Sequence, residues 1–381
     1  MGKQSPCILL VDDEQNILYA LKRELHQWAR EHELEILISS SAKEALVILE
    51  TRNTDTVLII SDLKMPEMKG SDFLLEVKKL YPSIIAILLT GFSETEEVIK
   101  AVSAGIFSYM LKPWDTEYLI AEVEKAYSYG EMQKQHAAYL KHIEEELKWA
   151  GELQKTILRP NLPSSEGVEF RVSYRQTSGL YCGGDYYDVI SVGPDRYMLL
   201  IGDVSGHGVK AAFVTGILKA VIYPEYVRGV VGKTISPADF LSWLNARMQF
   251  EFRSSSDMII TFFVGILDLR DKSFTYANAG HSHPILITGA QRDELPVSGS
   301  PIGFSRSTLY SWNSIKITSG DVLLLYTKGL VDIGKGIKIL QLLQKVAYGP
   351  DFHMRILSAA LEKEGVTEFT DDVTILTAYI Q

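Results

Sequence analysis

Five short apolar runs punctuate the first third of the chain: CILLV (7–11), EILIS (35–39), VLIIS (57–61), IAILLT (85–90) and FSYMLK (107–112). Between them lie stretches such as EQNILYALKRELHQWA (14–29) and SDFLLEVKKLY (71–81), where apolar residues recur every three or four positions. That spacing places them on one face of a helix, while unbroken apolar runs predict strands buried on both sides. The alternation predicts an α/β domain with a doubly wound, five-stranded parallel sheet, whose function collects at the carboxyl ends of the strands.

From Thr116 to about Arg159 the pattern changes to a proline-free tract rich in Glu, Lys, Gln and Ala. Leu140, Ile143, Leu147, Ala150 and Ile157 are spaced by threes and fours, with Gln154 interrupting the series. Such a seam predicts a coiled-coil helix that pairs with a second copy in a homodimer; the alternative is an amphipathic helix packed on its own chain. RPNLP (159–163) ends it, because proline cannot continue a helix. Beyond Gly167 the chain is strand-rich. MIITFFVGILDL (258–269) and SFTYANAG (273–280) predict a hairpin, and SPADFLSWLNARMQF (236–250) a helix with proline in its first turn. The expected division is 1–128, an α/β domain; 129–163, a helical linker; and 164–381, an α+β domain.

Length and charge narrow the possibilities. The chain has 381 residues, 46% of them hydrophobic, enough for two or three cored domains. A net charge of −10 argues against nucleic-acid partners, which require a basic face. Two cysteines, Cys7 and Cys182, make no disulfide framework and lack metal-ligand spacing. No apolar run approaches the ~18 residues of a membrane span. A strand by Ile8 leaves no room for a signal peptide, and MGKQSP lacks the Ser or Thr of a myristoylation signal. A cytoplasmic protein without membrane contact is expected.

The strand ends of the first domain carry chemistry. Asp12 and Asp13 end the first strand, Asp62 the third, Thr90 the fourth and Lys112 the fifth, followed by Pro113. Three clustered carboxylates repel one another and favour a hard cation such as Mg2+. With a hydroxyl and an ammonium at the same edge, the set suits phosphoryl transfer to a carboxylate: Asp62 accepts, Lys112 and Mg2+ neutralise, and Thr90 bonds the product. In these residues the segment 5–128 resembles a bacterial response-regulator receiver domain. The resemblance implies the Lys64 backbone carbonyl as a further Mg2+ ligand, Tyr109 as an aromatic switch, and a sensor histidine kinase as partner.

The second domain offers CGGDYYD (182–188), GDVSGHG (202–208), NAGHSHP (278–284), SPIG (300–303) and TDDVT (370–374). Asp185, Asp203 and Asp372 stand at strand ends or beside small residues, and glycine near Asp203 lets the Val204 carbonyl join them. Oxygen-only ligation points to Mg2+ or Mn2+, and a pair of such ions can activate water against phosphorus. These motifs, over 165–381, resemble the PPM-type metal-dependent protein phosphatases of the SpoIIE-like branch, whose fold is a β-sandwich flanked by helices. The resemblance implies that Asp203 bridges two metals, Asp185 and the Val204 carbonyl hold one, and Asp372 the other. It also implies a target, a phosphoserine or phosphothreonine on a STAS-type anti-sigma-factor antagonist. His207 is read as a turn residue, the alternative being a catalytic proton donor. NAGH, with its histidine His281, and SPIG are read as structural turns.

One position departs from the family. Its Thr-Asp-Gly turn, which supplies another metal ligand, reads Thr327-Lys328-Gly329 in this chain. An ammonium about 4 Å from a divalent ion, at an effective dielectric near 20, is repelled by roughly 8 kcal/mol. Pointing inward, Lys328 would expel its metal; pointing outward, it would leave a weakened site, and a centre with one ion in place of two is a further reading. The readings open at this point are a metal-dependent serine/threonine phosphatase, and a pseudophosphatase adaptor that sequesters its partner without catalysis.

Overall fold

The computed structural model describes residues 5–91, 95–103, 105–177, 181–230, 233–252, 258–332, 338–344 and 346–381. The chain forms two compact units, Met1–Ile143 and Glu144–Gln381. In the first, β1 (Cys7–Val11), α1 (Gln15–Glu31), β2 (Glu35–Ser39), α2 (Ala42–Arg52), β3 (Thr56–Asp62), α3 (Gly70–Leu80), β4 (Ile85–Thr90), α4 (Thr95–Ser103) and β5 (Ser108–Leu111) alternate, and α5 (Thr116–Leu158) follows. The sheet order is β2-β1-β3-β4-β5, parallel throughout. Successive strand residues point to opposite faces. Ile8, Leu10, Leu58 and Ile60 pack against Leu18, Leu21 and Leu25 of α1 and Leu119 and Val123 of α5. Leu9, Val11 and Ile59 pack against Ala45 and Leu49 of α2 and Phe73 and Leu74 of α3. This is the doubly wound sheet the apolar runs require.

The division between units falls inside α5, after Ile143. The helix stops at Leu158, just ahead of Pro160, where a proline would remove a helical donor. Along the apolar seam, Leu140 is 53% and Ile157 42% exposed, whereas Gln154, and Leu158 just beyond the seam, are buried within the second unit.

That unit adds β6 (Val168–Arg175), β7 (Asp185–Gly193), β8 (Arg196–Val204), α6 (Val209–Val221), α7 (Arg228–Val230) and α8 (Pro237–Glu251). There follow β9 (Ile260–Asp268), β10 (Ser273–Ala279), β11 (Ile285–Thr288), β12 (Gln291–Glu294), β13 (Trp312–Lys316), β14 (Val322–Tyr326), α9 (Ile339–Leu343), α10 (Phe352–Glu364) and β15 (Val373–Ile380). Two sheets form, β13-β10-β9-β8-β7 and β12-β11-β14-β15-β6. Phe263, Leu199, Leu325 and Leu376 fill the layer between them. Val214, Leu218, Phe240 and Leu244 of α6 and α8 cover one outer face, and Leu342, Phe352 and Ile356 of α9 and α10 the other. The result is a sandwich flanked by helices. The hairpin β9–β10 and helix α8 lie where the sequence pattern places them; Ser236 caps α8 by accepting from the Asp239 N–H. Among the described residues no helix is long and apolar enough to cross a membrane. Cys7 and Cys182 are buried and unpaired.

His353 shows how α10 is fastened. Its Nδ1 lies 2.8 Å from Ser173 Oγ on β6 and its Nε2 2.9 Å from Thr377 Oγ1 on β15. Burial, with Arg171 nearby, pushes its pKa down to about 4. The fold therefore favours the neutral ring: its stabilisation is complete above about pH 6.5 and is lost as pH falls toward 4, up to roughly 3 kcal/mol in all. Asp203, raised to about 6, titrates in the opposite sense over the same window. The expected result is therefore a difference: the melting temperature of wild type, relative to His353→Gln, falls between pH 7 and pH 5. A constant gap across that range would refute the assignment.

Candidate functional site

The receiver pocket is assembled by the ends of β1, β3, β4 and β5. Asp12 and Asp62 are buried, Asp13 is exposed, and their carboxylates reach within 4.8 Å of one another. Lys112 Nζ bridges Asp12 Oδ2 at 2.7 Å and Asp62 Oδ1 at 2.5 Å. Asp62 Oδ2 accepts from the Lys64 N–H at 2.8 Å. Thr90 is buried beside them, and its carbonyl accepts from the Lys112 N–H. The start of α3 lies directly against the third strand: a Cβ at Gly70 would stand 1.9 Å from the Asp62 carbonyl oxygen. Burial raises the Asp62 carboxyl, partly offset by Lys112. Burial would lower Lys112, but its bonds to Asp12 and Asp62 together raise it. An acidic pocket holding a raised carboxyl and one ammonium fits a divalent cation, which would relieve the remaining repulsion. Tyr109, on the outer face of β5, is 46% exposed.

In the second unit, antiparallel pairing of β7 with β8 sets Asp185 opposite Asp203. Asp185, 2% exposed, accepts at Oδ2 from Thr327 Oγ1 (2.8 Å) and Thr374 Oγ1 (2.6 Å). Thr327 Oγ1 in turn accepts from the Thr374 N–H at 2.8 Å. The threonines of the TKG and TDDVT motifs thus orient the Asp185 carboxylate. Burial raises Asp185 well above the usual carboxylate range, with Asp203 adding to it. Burial also pushes Asp203 up to about 6, helped by Asp371 and Asp372 and opposed weakly by Lys328. Carboxylates raised by burial and by neighbouring carboxylates are a donor set short of counter-charge, and oxygen donors of this kind fit Mg2+ or Mn2+. These carboxylates are less tightly gathered than the receiver trio, the only such cluster among the described residues.

Asp372, whose charge also acts on Asp203, accepts from two backbone N–H groups. Its Oδ1 accepts from the Thr177 N–H (2.9 Å) and its Oδ2 from the Gly184 N–H (2.9 Å), with Tyr174 Oη at 3.4 Å. A Cβ at Gly183 would lie 2.0 Å from Asp372 Oδ2 and 2.1 Å from Tyr174 Oη, which explains a glycine there. A Cβ at Gly184 would lie 2.8 Å from the Val204 carbonyl oxygen, so that carbonyl faces the strand end bearing Asp185. The neighbouring Asp371 is exposed, and its charge acts on both Asp203 and Lys328. Asp371 is the residue that reading of the sequence passes over; the DD pair is visible there, but not that Asp371 acts on Asp203 more strongly than Asp372 does.

Lys328 points outward. Its Nζ lies 2.9 Å from Asp332 Oδ2, and its side chain is 66% exposed. The Asp332 bond, reinforced at longer range by Asp203 and Asp371, raises its pKa. His207 is exposed between Gly206 and Gly208, both at positive φ, in keeping with a turn residue.

A second residue missed from the sequence is Gln154. It reads as a flaw in the apolar seam, yet its buried amide clasps the loop before Asp185. Nε2 donates to the Gly183 carbonyl (2.7 Å) and Thr215 Oγ1 (2.9 Å), and Oε1 accepts from the Gly183 N–H (3.0 Å). Gly151, one turn earlier, permits this approach, since a Cβ there would stand 1.9 Å from the Tyr181 carbonyl oxygen. Tyr181 Oη donates to Glu144 at 2.7 Å.

With this geometry in view, comparison with known proteins gives the class: a receiver domain joined to a phosphatase-family domain. Residues 8–124 match the response regulator receiver domain family, and residues 193–381 match the family of stage II sporulation protein E (SpoIIE). The chain is a response-regulator receiver domain fused to a PPM-type, SpoIIE-like phosphatase domain. The hydrogenase transcriptional regulatory protein HoxA of Cupriavidus necator is 36% identical over 127 residues, 33% of this chain and 25% of that protein. Protein IcfG of Synechocystis is 24% identical over 209 residues, 49% of this chain and 32% of its own length. The chain thus spans a quarter to a third of these curated relatives. The SiaA-PP2C domain of Pseudomonas aeruginosa shares the fold, with a TM-score of 0.56 at 22% identity, over 64% of this chain and all of that one.

Proposed function

We propose that this chain is a phosphorylation-controlled protein serine/threonine phosphatase. Asp62 receives a phosphoryl group from a sensor histidine kinase, and the second domain dephosphorylates a STAS-type anti-sigma-factor antagonist. The observation that carries this reading is the outward turn of Lys328 onto Asp332, which leaves Asp185, Asp203 and Asp371 as an un-neutralised acidic centre. In this reading Asp185, Asp203, the Val204 carbonyl and Asp371 hold Mg2+ or Mn2+, while Asp372 braces the Gly183–Gly184 backbone. Bound cations would supply the Lewis acidity for attack of water on phosphorus. Thr327 and Thr374 keep Asp185 aimed, and Gln154 keeps the preceding loop closed. In the receiver, the Asp62 carboxylate forms the new bond to phosphorus as the donor's bond breaks, with Lys112 balancing the charge.

The pseudophosphatase reading keeps one observation in its favour: the Lys328 charge still acts on Asp203. The test is Mn2+-dependent release of phosphate from a phosphoserine-bearing STAS protein by the full chain, with Asp203→Asn as control. Turnover that Asp203→Asn lowers at least a hundredfold is expected. Stable binding of the phosphoprotein with no release would instead favour the adaptor.

Gln154 gives a further expectation. Gln154→Leu preserves side-chain bulk but leaves the Gly183 N–H and carbonyl without their partner, a cost of about 1–3 kcal/mol for each buried group. Phosphatase turnover should fall roughly ten- to a hundredfold while the receiver still accepts phosphate normally. Unchanged turnover would mean that the clasp only packs the helix.

A further inference from the structure

The NAGH segment takes no part in the site described so far, yet it is built with more care than a turn needs. Asn278, 1% exposed, grips the His281 backbone with both ends of its amide: Oδ1 accepts from the N–H (2.7 Å) and Nδ2 donates to the carbonyl (2.9 Å). Gly280 between them has φ +72, and a Cβ there would stand 2.7 Å from Pro301 Cγ. Together they send the His281 imidazole inward, where it is 6% exposed.

What the ring touches is informative. Its Nδ1 lies 2.9 Å from Thr261 Oγ1. Thr261 is the β9 partner of Asp203 on β8, and its hydroxyl is 3.5 Å from the Asp203 carbonyl. The ring also faces the backbone of Tyr326, the last residue of β14, and Nε2 makes no well-formed hydrogen bond. Thr327, which holds Asp185, comes next. The imidazole therefore sits between the two sheets at the end where the carboxylates gather. The Asp203 strand lies on one side of it and the Thr327–Lys328 turn on the other. Burial pushes its pKa down to about 4, so near neutrality it is an uncharged spacer.

We propose that His281, acting through Thr261, is a positioning residue of the metal centre that fixes the strand end bearing Asp203 against the turn bearing Thr327. The inference rests on the metal-dependent phosphatase reading and assigns a role to a residue that touches neither substrate nor ion. The test uses Mn2+ as probe, with free ion followed by electron paramagnetic resonance. The parent is the full chain carrying Lys328→Asp, together with Asp13→Ala and Asp62→Asn to remove the receiver's cation site.

His281→Leu is expected to weaken Mn2+ binding at least tenfold, and Thr261→Val to do the same. The double variant should bind no more weakly than either single one, because both break one bond. His281→Asn, which keeps a polar atom near the Nδ1 position, should recover affinity to within about threefold of the parent. Should His281→Leu fail to fold, Thr261→Val and His281→Asn carry the comparison. Melting in EDTA separates positioning from core filling: a His281→Leu protein that melts lower yet binds Mn2+ like the parent overturns the inference. A parent that binds no Mn2+ overturns the metal-centre reading itself, and this inference with it.

Discussion

Lys328→Asp should raise the Mn2+ affinity of the phosphatase domain by roughly thirty- to a thousandfold, and its turnover at limiting Mn2+ with it. The change reverses one charge beside Asp203 and Asp371, a swing of two units. Were the ammonium seated in the site, the repulsion relieved would approach roughly 8 kcal/mol at an effective dielectric near 20. The side chain instead lies outward on Asp332, mostly in water. Distance and solvent reduce the effect to about 2–4 kcal/mol, which sets the range given. A Mn2+ titration of phosphoserine-protein hydrolysis, run on both forms, measures it. Activity confined to Lys328→Asp would mean a domain disarmed at one ligand, and would favour a binding role for the chain as it stands. Equal curves would mean that Lys328 takes no part, leaving the enzyme reading intact.

Asp62→Asn should abolish labelling of the chain by acetyl phosphate, a loss of at least a hundredfold. An amide cannot form the acyl phosphate, and the other two carboxylates are poorly placed to replace it. Asp12 is engaged by Lys112 Nζ and by the Glu14 N–H, and Asp13 is exposed at the rim. Chelating Mg2+ should have a similar effect on wild type, because a bound cation would offset the charge that Asp12, Asp13 and Asp62 gather where the phosphoryl group arrives. Phosphate incorporation followed by mass spectrometry is the readout. Labelling that persists in Asp62→Asn would place the acceptor on another residue.

The receiver pocket is legible in the sequence because each of its groups ends a strand, and a parallel sheet brings all strand ends to one edge. Register does the rest, so Asp12, Asp62, Thr90 and Lys112 meet without further information. The phosphatase centre is less legible for a local reason. In TDDVT two adjacent carboxylates divide their contacts: Asp372 accepts from the Thr177 and Gly184 N–H groups, Asp371 from the Asp372 N–H, and both charges act on Asp203. Only backbone direction distinguishes them. Gln154 is hidden differently. A polar residue on an apolar seam looks like a defect until its partners, a carbonyl and an N–H of Gly183, are known. Backbone partners leave no trace in side-chain pattern. The outward rotamer of Lys328 is likewise set by Asp332 four residues on, a pairing the sequence permits but does not require.

Helix α5 has a practical consequence for anyone who dissects this chain. A fragment begun after the proline turn at 159–163 looks natural, since the helix ends there and the first strand of the sandwich starts soon after. Such a fragment would discard Gly151, Gln154 and Leu158, the last of which lies in the core beside α6. The Gly183 amide and carbonyl and the Thr215 hydroxyl would lose a shared partner, and the loop leading to Asp185 would lose its clamp. Poor activity from that piece would report the cut. A faithful fragment begins no later than Glu144, so that its first secondary structure is the helix rather than the sheet.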